Sequence, residues 1–391
     1  MSVDTSLFRT RTIYNQRKHA SLPDVWELAL DVGYSGTKTF SPNSYSVFPS
    51  YARKLPKGQR FLGEADSRNI LYEDESGDVW LVGANAQNMI DGVDDTSATS
   101  ALYVKDRFHS AMFLVVARVG LAFGMLKNEF GTPNGKTISL QTGLPPAHMA
   151  DCKEDLIDVL EGNHEFRIKI GEGKWQTFKF TIPRQNIHVM EQPMGSLIAA
   201  STTRDGIPTA DAKKYLSSNV LVADPGFSTF DTFNIAERRI VGNKTWSDLG
   251  MNRVLTETCS ILNGDKYKAN VSVEGMQKYL ESGKVRVIDR KKRCTEDIAF
   301  GSVLEECSRA ICSEALSKLD ETYQGLFYHD YLILTGGLGE VWFEQVREYY
   351  KGIKTLKVIS AMQTDEIEGL FSNVRGYYFN QHNRLSRAMK K

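Results

Sequence analysis

Residues 30–38 read Leu-Asp-Val-Gly-Tyr-Ser-Gly-Thr-Lys, and residues 223–231 read Ala-Asp-Pro-Gly-Phe-Ser-Thr-Phe-Asp. Each follows an apolar run suited to a buried strand, VWELALDV at 25–32 and VLVAD at 220–224. Each then passes through Asp, one variable residue, Gly, an aromatic and Ser into a second strand. The copies stand about half a chain length apart, which implies two related domains. An aspartate at a strand end points at whatever occupies the turn. The glycine lets the backbone approach closely or take positive φ. The amides that follow can converge on an anion, and the Ser35 and Ser228 hydroxyls add donors. A carboxylate beside a phosphate cradle is unfavourable unless a cation lies between them. Mg²⁺ takes few carboxylates and keeps several waters, so Asp31 and Asp224 are expected to hold a hydrated Mg²⁺ against phosphate. Lys38, on the returning strand, is placed to reach a phosphate as a point charge. A single D-x-G is an ordinary hairpin turn; the second copy argues for phosphate binding.

A third element, LILTGGLG at 332–339, is an apolar strand ending in Gly-Gly, which permits close approach to a flat ligand. It is neither G-x-G-x-x-G nor a P-loop, so those nucleotide modes are disfavoured.

The rest of the chain sets limits. Its 391 residues suit two or three domains. Lys+Arg and Asp+Glu are both 48, which argues against coating nucleic acid by bulk charge. The five cysteines form no C-x-x-C, so neither a disulfide framework nor a zinc module is expected, and a reducing, cytoplasmic setting fits. The seven histidines are scattered without ligand spacing. AMFLVVARVGLAFGML at 111–126 is short for a membrane span and carries Arg118, so it reads as a buried helix within a helical stretch from Tyr103 to Phe130. Residues 1–24 are polar and read as a flexible arm. Period-two alternation over 166–170 and 177–182 marks a hairpin with Gly171 and Gly173 in its turn. A long helix is expected over 298–323 and a helix-like piece over 366–371. The basic run Arg286, Arg290, Lys291, Lys292, Arg293 and the tail Arg384, Arg387, Lys390, Lys391 read as solvated surface. Strands and helices alternate throughout, the pattern of an α/β fold with mixed sheets.

Taken in order, these motifs resemble the actin superfamily, which includes actins, sugar kinases and heat-shock chaperone ATPases. LDVGYSGTK resembles its first phosphate loop, ADPGFSTFD its second and LILTGG its adenosine motif. EQPMGS at 191–196 and FSNVRGYY at 371–378 resemble its two helical connecting segments. The resemblance implies an actin-like (ribonuclease H-like) duplicated fold with a nucleotide cleft. Domain I would span 25–195 with an inserted subdomain near 41–100. Domain II would span 196–365 with an insert near 248–297, and residues 366–391 would return to domain I. Within the superfamily, QTGLPP at 141–146 and NVRGYY at 373–378 resemble the ParM-type bacterial actins that segregate plasmids. Pro225, which stiffens the second loop, and the charged arm depart from the family pattern.

The resemblance implies an ATPase that takes ATP (or GTP) with Mg²⁺, polymerises, and disassembles after hydrolysis. The phosphates would lie against Asp31, Gly33, Tyr34, Ser35, Gly36, Thr37 and Lys38, and against Gly226, Phe227, Ser228 and Thr229. The base would lie near Gly336, Gly337 and Leu338, with Glu305 and Arg309 on its other side. Asp224 would hold the Mg²⁺ hydration shell beside the attacking water, and Gln192 or Glu191 would orient or polarise that water. A glutamine orients but is a poor base, whereas a glutamate accepts a proton; the sequence leaves both open, and N-capping of the following helix is the other role for this pair. The implied partners are further copies of the chain and a DNA-binding adaptor that links the filament to a plasmid centromere, with no membrane or direct DNA contact. Trp342, Phe343, Tyr349 and Tyr350 are candidates for the assembly surface, although aromatics at helical spacing are commonly core. The alternatives are a sugar or acid kinase of the same superfamily and a cell-shape actin of the MreB type.

Overall fold

A computed structural model describes residues 3–58, 69–89, 105–237, 239–289 and 293–390. Parts of the expected insert at 41–100, and the basic residues Arg290, Lys291 and Lys292, lie outside the described residues. The chain divides into two compact units. The first contains Thr10–Ala199, Asp205–Ile207 and Asn373–Lys391, and the second Met1–Arg9, Ala200–Arg204 and Pro208–Ser372.

In the first unit the apolar strand Val25–Val32 turns back antiparallel into Gly36–Phe40, which pairs antiparallel with Ser44–Pro49. On its other side Val25–Val32 runs parallel to Thr137–Leu144, which runs parallel to Ile187–Glu191. The second unit repeats that order and sense. Val220–Pro225 turns back antiparallel into Phe230–Ala236 and then Arg239–Trp246, and runs parallel to Tyr331–Leu334, which runs parallel to Lys357–Ser360. The acidic strand is central in both sheets. The two-fold repetition of the motif is therefore a repetition of sheet topology. Each unit has its own apolar core.

The elaborations differ. The first unit adds an antiparallel sheet of Ala52–Lys54, Val79–Val82, Ile70–Glu73, Gly162–Ile170 and Gln176–Ile182, whose last two strands form the expected hairpin. The second unit adds the hairpin Lys284–Asp289/Cys294–Ala299. Arg286 there pairs with Asp297 at 2.9 Å.

The helix Ala111–Met125 lies against the acidic hairpin of the first unit. Ser110 caps it by accepting the Phe113 amide, and residue 126 is already extended, so it is shorter than expected. Its close seat depends on two glycines four residues apart, hence on one face. A Cβ at Gly120 would stand 2.6 Å from Leu30 Cδ1, and one at Gly124 would stand 2.7 Å from Leu28 Cδ2. The Thr39 hydroxyl donates to the Gly120 carbonyl and the Trp26 indole to that of Gly124. Arg118 is buried but satisfied: it forms a two-pronged pair with Glu75 and donates to the Tyr72 hydroxyl. No helix among the described residues is long and apolar enough to cross a membrane.

A second close crossing joins Gln192–Ala200 and Ser372–Ala388, the two segments with connecting-helix likeness. A Cβ on Gly376 would overlap the Gly195 carbonyl, and one on Gly195 would stand 2.7 Å from both the Asn373 carbonyl and the Tyr377 ring. Arg375 donates to the Ala199 carbonyl at 2.9 Å and stacks on Phe379.

Four further expectations are corrected. Residues 3–24 are built into the fold rather than forming a flexible arm. Thr5–Phe8 is a 3₁₀ turn with Phe8 in the second unit's core, and Ile13–Gln16 adds an edge strand beside Ser44–Pro49. The cause is a few buried apolar side chains among polar ones, too short a pattern to register as a strand. The long helix begins at Gly301 because Cys294–Ala299 is committed to its hairpin. The piece at 366–371 is helical only as a 3₁₀ turn over Gly369–Phe371. Trp342 and Tyr350 are core residues of helix Gly336–Tyr350, leaving Tyr349 as its exposed aromatic.

Gly120→Ala should destabilise the protein by about 1–3 kcal/mol through overpacking against Leu30 and Thr37. Gly352→Ala, in open space, should stay within about 0.5 kcal/mol. Urea unfolding of both variants checks this, and equal midpoints would contradict the packing assigned to Gly120.

Candidate functional site

Both acidic turns are closed by the same hydrogen bond. The Gly33 amide donates to the Gly36 carbonyl at 3.1 Å, and the Gly226 amide donates to the Thr229 carbonyl at 2.8 Å. A Cβ at Gly33 would stand 3.0 Å from the Gly36 oxygen, and one at Gly226 would stand 3.2 Å from the Thr229 oxygen. The glycine is thus set by close approach of the turn to itself.

In the first turn Asp31 is 2% exposed. Its Oδ2 accepts from Lys38 Nζ at 3.0 Å, directly across the hairpin, and its Oδ1 accepts from Gln192 Nε2 at 3.2 Å. Between Glu191 and Gln192, it is Gln192 that reaches the carboxylate. Glu191 ends strand Ile187–Glu191, half-buried, and burial pushes its carboxyl pKa up. Gly33, Tyr34 and Ser35 form the partly exposed tip. The Ser35 carbonyl receives the Ser50 amide, and the buried Thr37 hydroxyl is engaged with Ser50 Oγ at 2.8 Å. Gly36 is buried at the head of its strand.

The second turn carries the opposite charge across the hairpin. Asp231, not Lys, stands opposite Asp224. Asp231 accepts from the Thr229 hydroxyl at 2.7 Å and from that of Thr245. The Ser228 Oγ is buried with no hydrogen-bond partner among the described residues. An orphaned buried hydroxyl in a turn of this shape is a donor waiting for an acceptor. The Gly226 and Phe227 carbonyls take the Met251 and Asn252 amides that open helix Met251–Asn263. A Cβ at Gly250 would stand 2.5 Å from the Phe227 oxygen.

The Gly-Gly corner meets this second turn. Gly336, at φ +76°, opens helix Gly336–Tyr350, and a Cβ there would stand 2.6 Å from Asp224 Oδ1. The Thr335 amide donates to the Ala223 carbonyl, and its hydroxyl bonds the Ser372 hydroxyl. Gly337 lies beside Leu370, and Leu338 is buried in the core. Glu305 and Arg309 pair with each other at 2.9 Å on helix Gly301–Tyr323, and Glu305 also receives the Val3 amide.

Sequence reasoning missed Asp231, Ser50 and Arg107. Asp231 sits seven residues after Asp224, as Lys38 does after Asp31, so comparing the repeats to that position would have found it. Arg107 lies over the Tyr34 ring at 4.7 Å, and no local pattern announces that contact. The described residues hold no cluster of three or more His, Cys, Asp or Glu that could cage a metal. The donor set still suits a hydrated divalent cation, which takes one or two carboxylates and fills its other positions with water and phosphate oxygen.

Residues 29–195 match the family described as the N-terminal domain of actin like proteins. Over 92% of its length the chain is similar in fold to solved actin-like structures. A non-polymerisable quadruple mutant of the pCBH ParM matches with TM-score 0.67 at 19% identity, over 92% of this chain and 100% of that one. A ParM filament from Clostridium botulinum matches with TM-score 0.67 at 18% identity over the same shares. An archaeal actin homologue matches with TM-score 0.64 at 15% identity, over 92% of this chain and 99% of that one. The chain has the actin-like fold. No curated protein sequence matches it significantly. The actin-like assignment accounts for the repeated topology and for the placing of both acidic turns at the ends of central strands.

The raised pKa of Glu191 predicts the sign of a substitution. Ionising a buried carboxyl costs stability, and that cost appears as pH rises through its folded-state pKa. Glu191→Gln should therefore gain stability relative to the parent at pH 8, with the advantage shrinking toward pH 4. Urea midpoints at the two pH values check the sign.

Proposed function

We propose that this actin-like protein is a nucleotide-dependent, filament-forming ATPase of the ParM type, acting in the cytoplasm. The observation that carries the reading is the pair of identically closed acidic turns, one with a lysine across from its aspartate and a glutamine on it, the other with an orphaned hydroxyl and a Gly-Gly corner against its aspartate. These groups suit magnesium-bound polyphosphate. The amides of residues 34–36 and 227–229, beyond those that close the turns, would donate to phosphate oxygens, and Lys38 adds a positive charge. Asp31 and Asp224 would hold waters of Mg²⁺, and Asp231 stands across the hairpin from Asp224. When bound, the cation neutralises charge developing on the transferred phosphoryl group. Positioning and electrostatics supply most of the catalysis in such reactions. Gln192, already hydrogen-bonded to Asp31, orients the attacking water, and Glu191 stands next to it as the alternative base. The Gly336–Gly337 corner, where no side chain intervenes, would take the nucleoside.

Filament formation follows from linkage. A nucleotide that favours one arrangement of the protein favours whatever surface that arrangement presents, and hydrolysis withdraws the bias. A head-to-tail contact that does not close yields an open polymer. The similar filament from Clostridium botulinum supports that reading. Cargo in this reading is plasmid DNA, linked through an adaptor protein, since balanced charge gives the chain no bulk affinity for DNA.

Right-angle light scattering and electron micrographs with and without Mg-ATP test the proposal. ATP-dependent filaments at micromolar protein are expected, and their absence across that range would remove it. Asp224→Ala should fold, lose hydrolysis on the order of a hundredfold, and form longer-lived filaments. Unchanged phosphate release would sink the role given to Asp224. Gln192→Ala and Glu191→Gln separate the two candidates for the water, because only the residue that acts on it should lower turnover at saturating ATP.

A further inference from the structure

Arg107 lies in the 3₁₀ turn Lys105–His109, just before the helix that seats the first acidic hairpin. It is 6% exposed. Its guanidinium stands over the rings of Tyr34 at 4.7 Å, Phe108 at 5.1 Å and Phe113 at 5.7 Å. Its Nη1 is buried and has no hydrogen-bond partner among the described residues. A guanidinium carries five donors in a rigid fork and stays charged in proteins. Burying it without a partner is costly, and ring faces return only part of that cost. Burial pushes its pKa down, while attraction to Tyr34, Asp31 and Cys152 acts in the other direction.

The contrast with Arg118 is informative. That arginine is buried to the same degree, and a bidentate glutamate, a tyrosine hydroxyl and a histidine satisfy it. Arg107 has aromatic rings and the tip of the Gly33–Gly36 turn. Asp31, the carboxylate that attracts it, is already bonded to Lys38 and Gln192. Asp31, Lys38 and Arg107 therefore place two cations and one carboxylate around a single turn, a net positive charge in low dielectric.

We infer that Arg107 is a second cation of the first phosphate turn: its buried guanidinium, with Nη1 unpartnered among the described residues, draws a polyphosphate to the amides of residues 34–36, and its stacking on Tyr34 holds the turn in the shape that receives it. The inference rests on the proposal that this turn binds phosphate. The cost of the buried charge is carried by the unliganded protein and relieved on binding, so affinity and stability respond to it in opposite directions.

The test uses the full chain with Mg²⁺, and with ATP and inorganic tripolyphosphate as separate probes. Arg107→Met keeps the apolar stem and removes the charge. Arg107→Lys keeps the charge and loses the planar stack. Without ligand, Arg107→Met should melt no lower than the parent. With ligand, it should bind both probes ~tenfold or more weakly, whereas Arg107→Lys should recover most of that loss. A melting temperature lowered by more than about 4 °C in Arg107→Met would mark Arg107 as a structural strut and overturn the inference. So would unchanged affinity in Arg107→Met, or an equal loss in Arg107→Lys. If the parent binds tripolyphosphate but not ATP, the nucleotide reading falls while the role of Arg107 stands or falls on the variants.

Discussion

One hydrogen bond, from a glycine amide to the carbonyl three residues on, shapes both acidic turns. It forms between Gly33 and Gly36 and again between Gly226 and Thr229. Closing so tight a loop leaves little room for a Cβ on the first glycine. It also fixes what stands across the hairpin, since the register that follows sets Asp31 opposite Lys38 and Asp224 opposite Asp231. The acidic strand is central in its sheet on each occasion, flanked by an antiparallel neighbour and a parallel one. The carboxylate at its end is therefore held by a rigid element, which is where a precisely aimed charge belongs.

The two copies have diverged in charge while keeping their geometry. The first turn is enriched in positive charge, with Lys38 bonded to Asp31 and Arg107 beyond Tyr34. The second pairs two carboxylates, one braced by the Thr229 and Thr245 hydroxyls and the other pressed against Gly336.

Glycine does a second job away from the turns. Gly120 and Gly124 let a helix sit on the strands behind the first turn, and Gly195 and Gly376 let two helices cross at backbone distance. These contacts are unforgiving because cores are close-packed and relax only partly. They tie the positions of Asp31 and Gln192 to residues outside both acidic turns.

The repeat, the apolar strands that carry it, the Gly-Gly corner and the hairpin of 166–170 and 177–182 were legible in the sequence, because period and turn chemistry are encoded locally. Their order resembles that of the actin superfamily, and the actin-like fold was implied by that resemblance rather than by the pattern itself. The partners of the site were not legible. Gln192 meets Asp31 across 161 residues, and Gly336 meets Asp224 across half the second unit. Arg107 finds Tyr34 only because a helix packs where two glycines allow it. Trp342 and Tyr350 were equally ambiguous until packing turned them inward, and the apolar side chains of residues 3–24 were too few to signal burial. Short-range pattern determines which elements form. The choice of which side chains share a pocket belongs to tertiary packing, because it depends on close approach and rotamer fit between segments that have no fixed spacing along the chain.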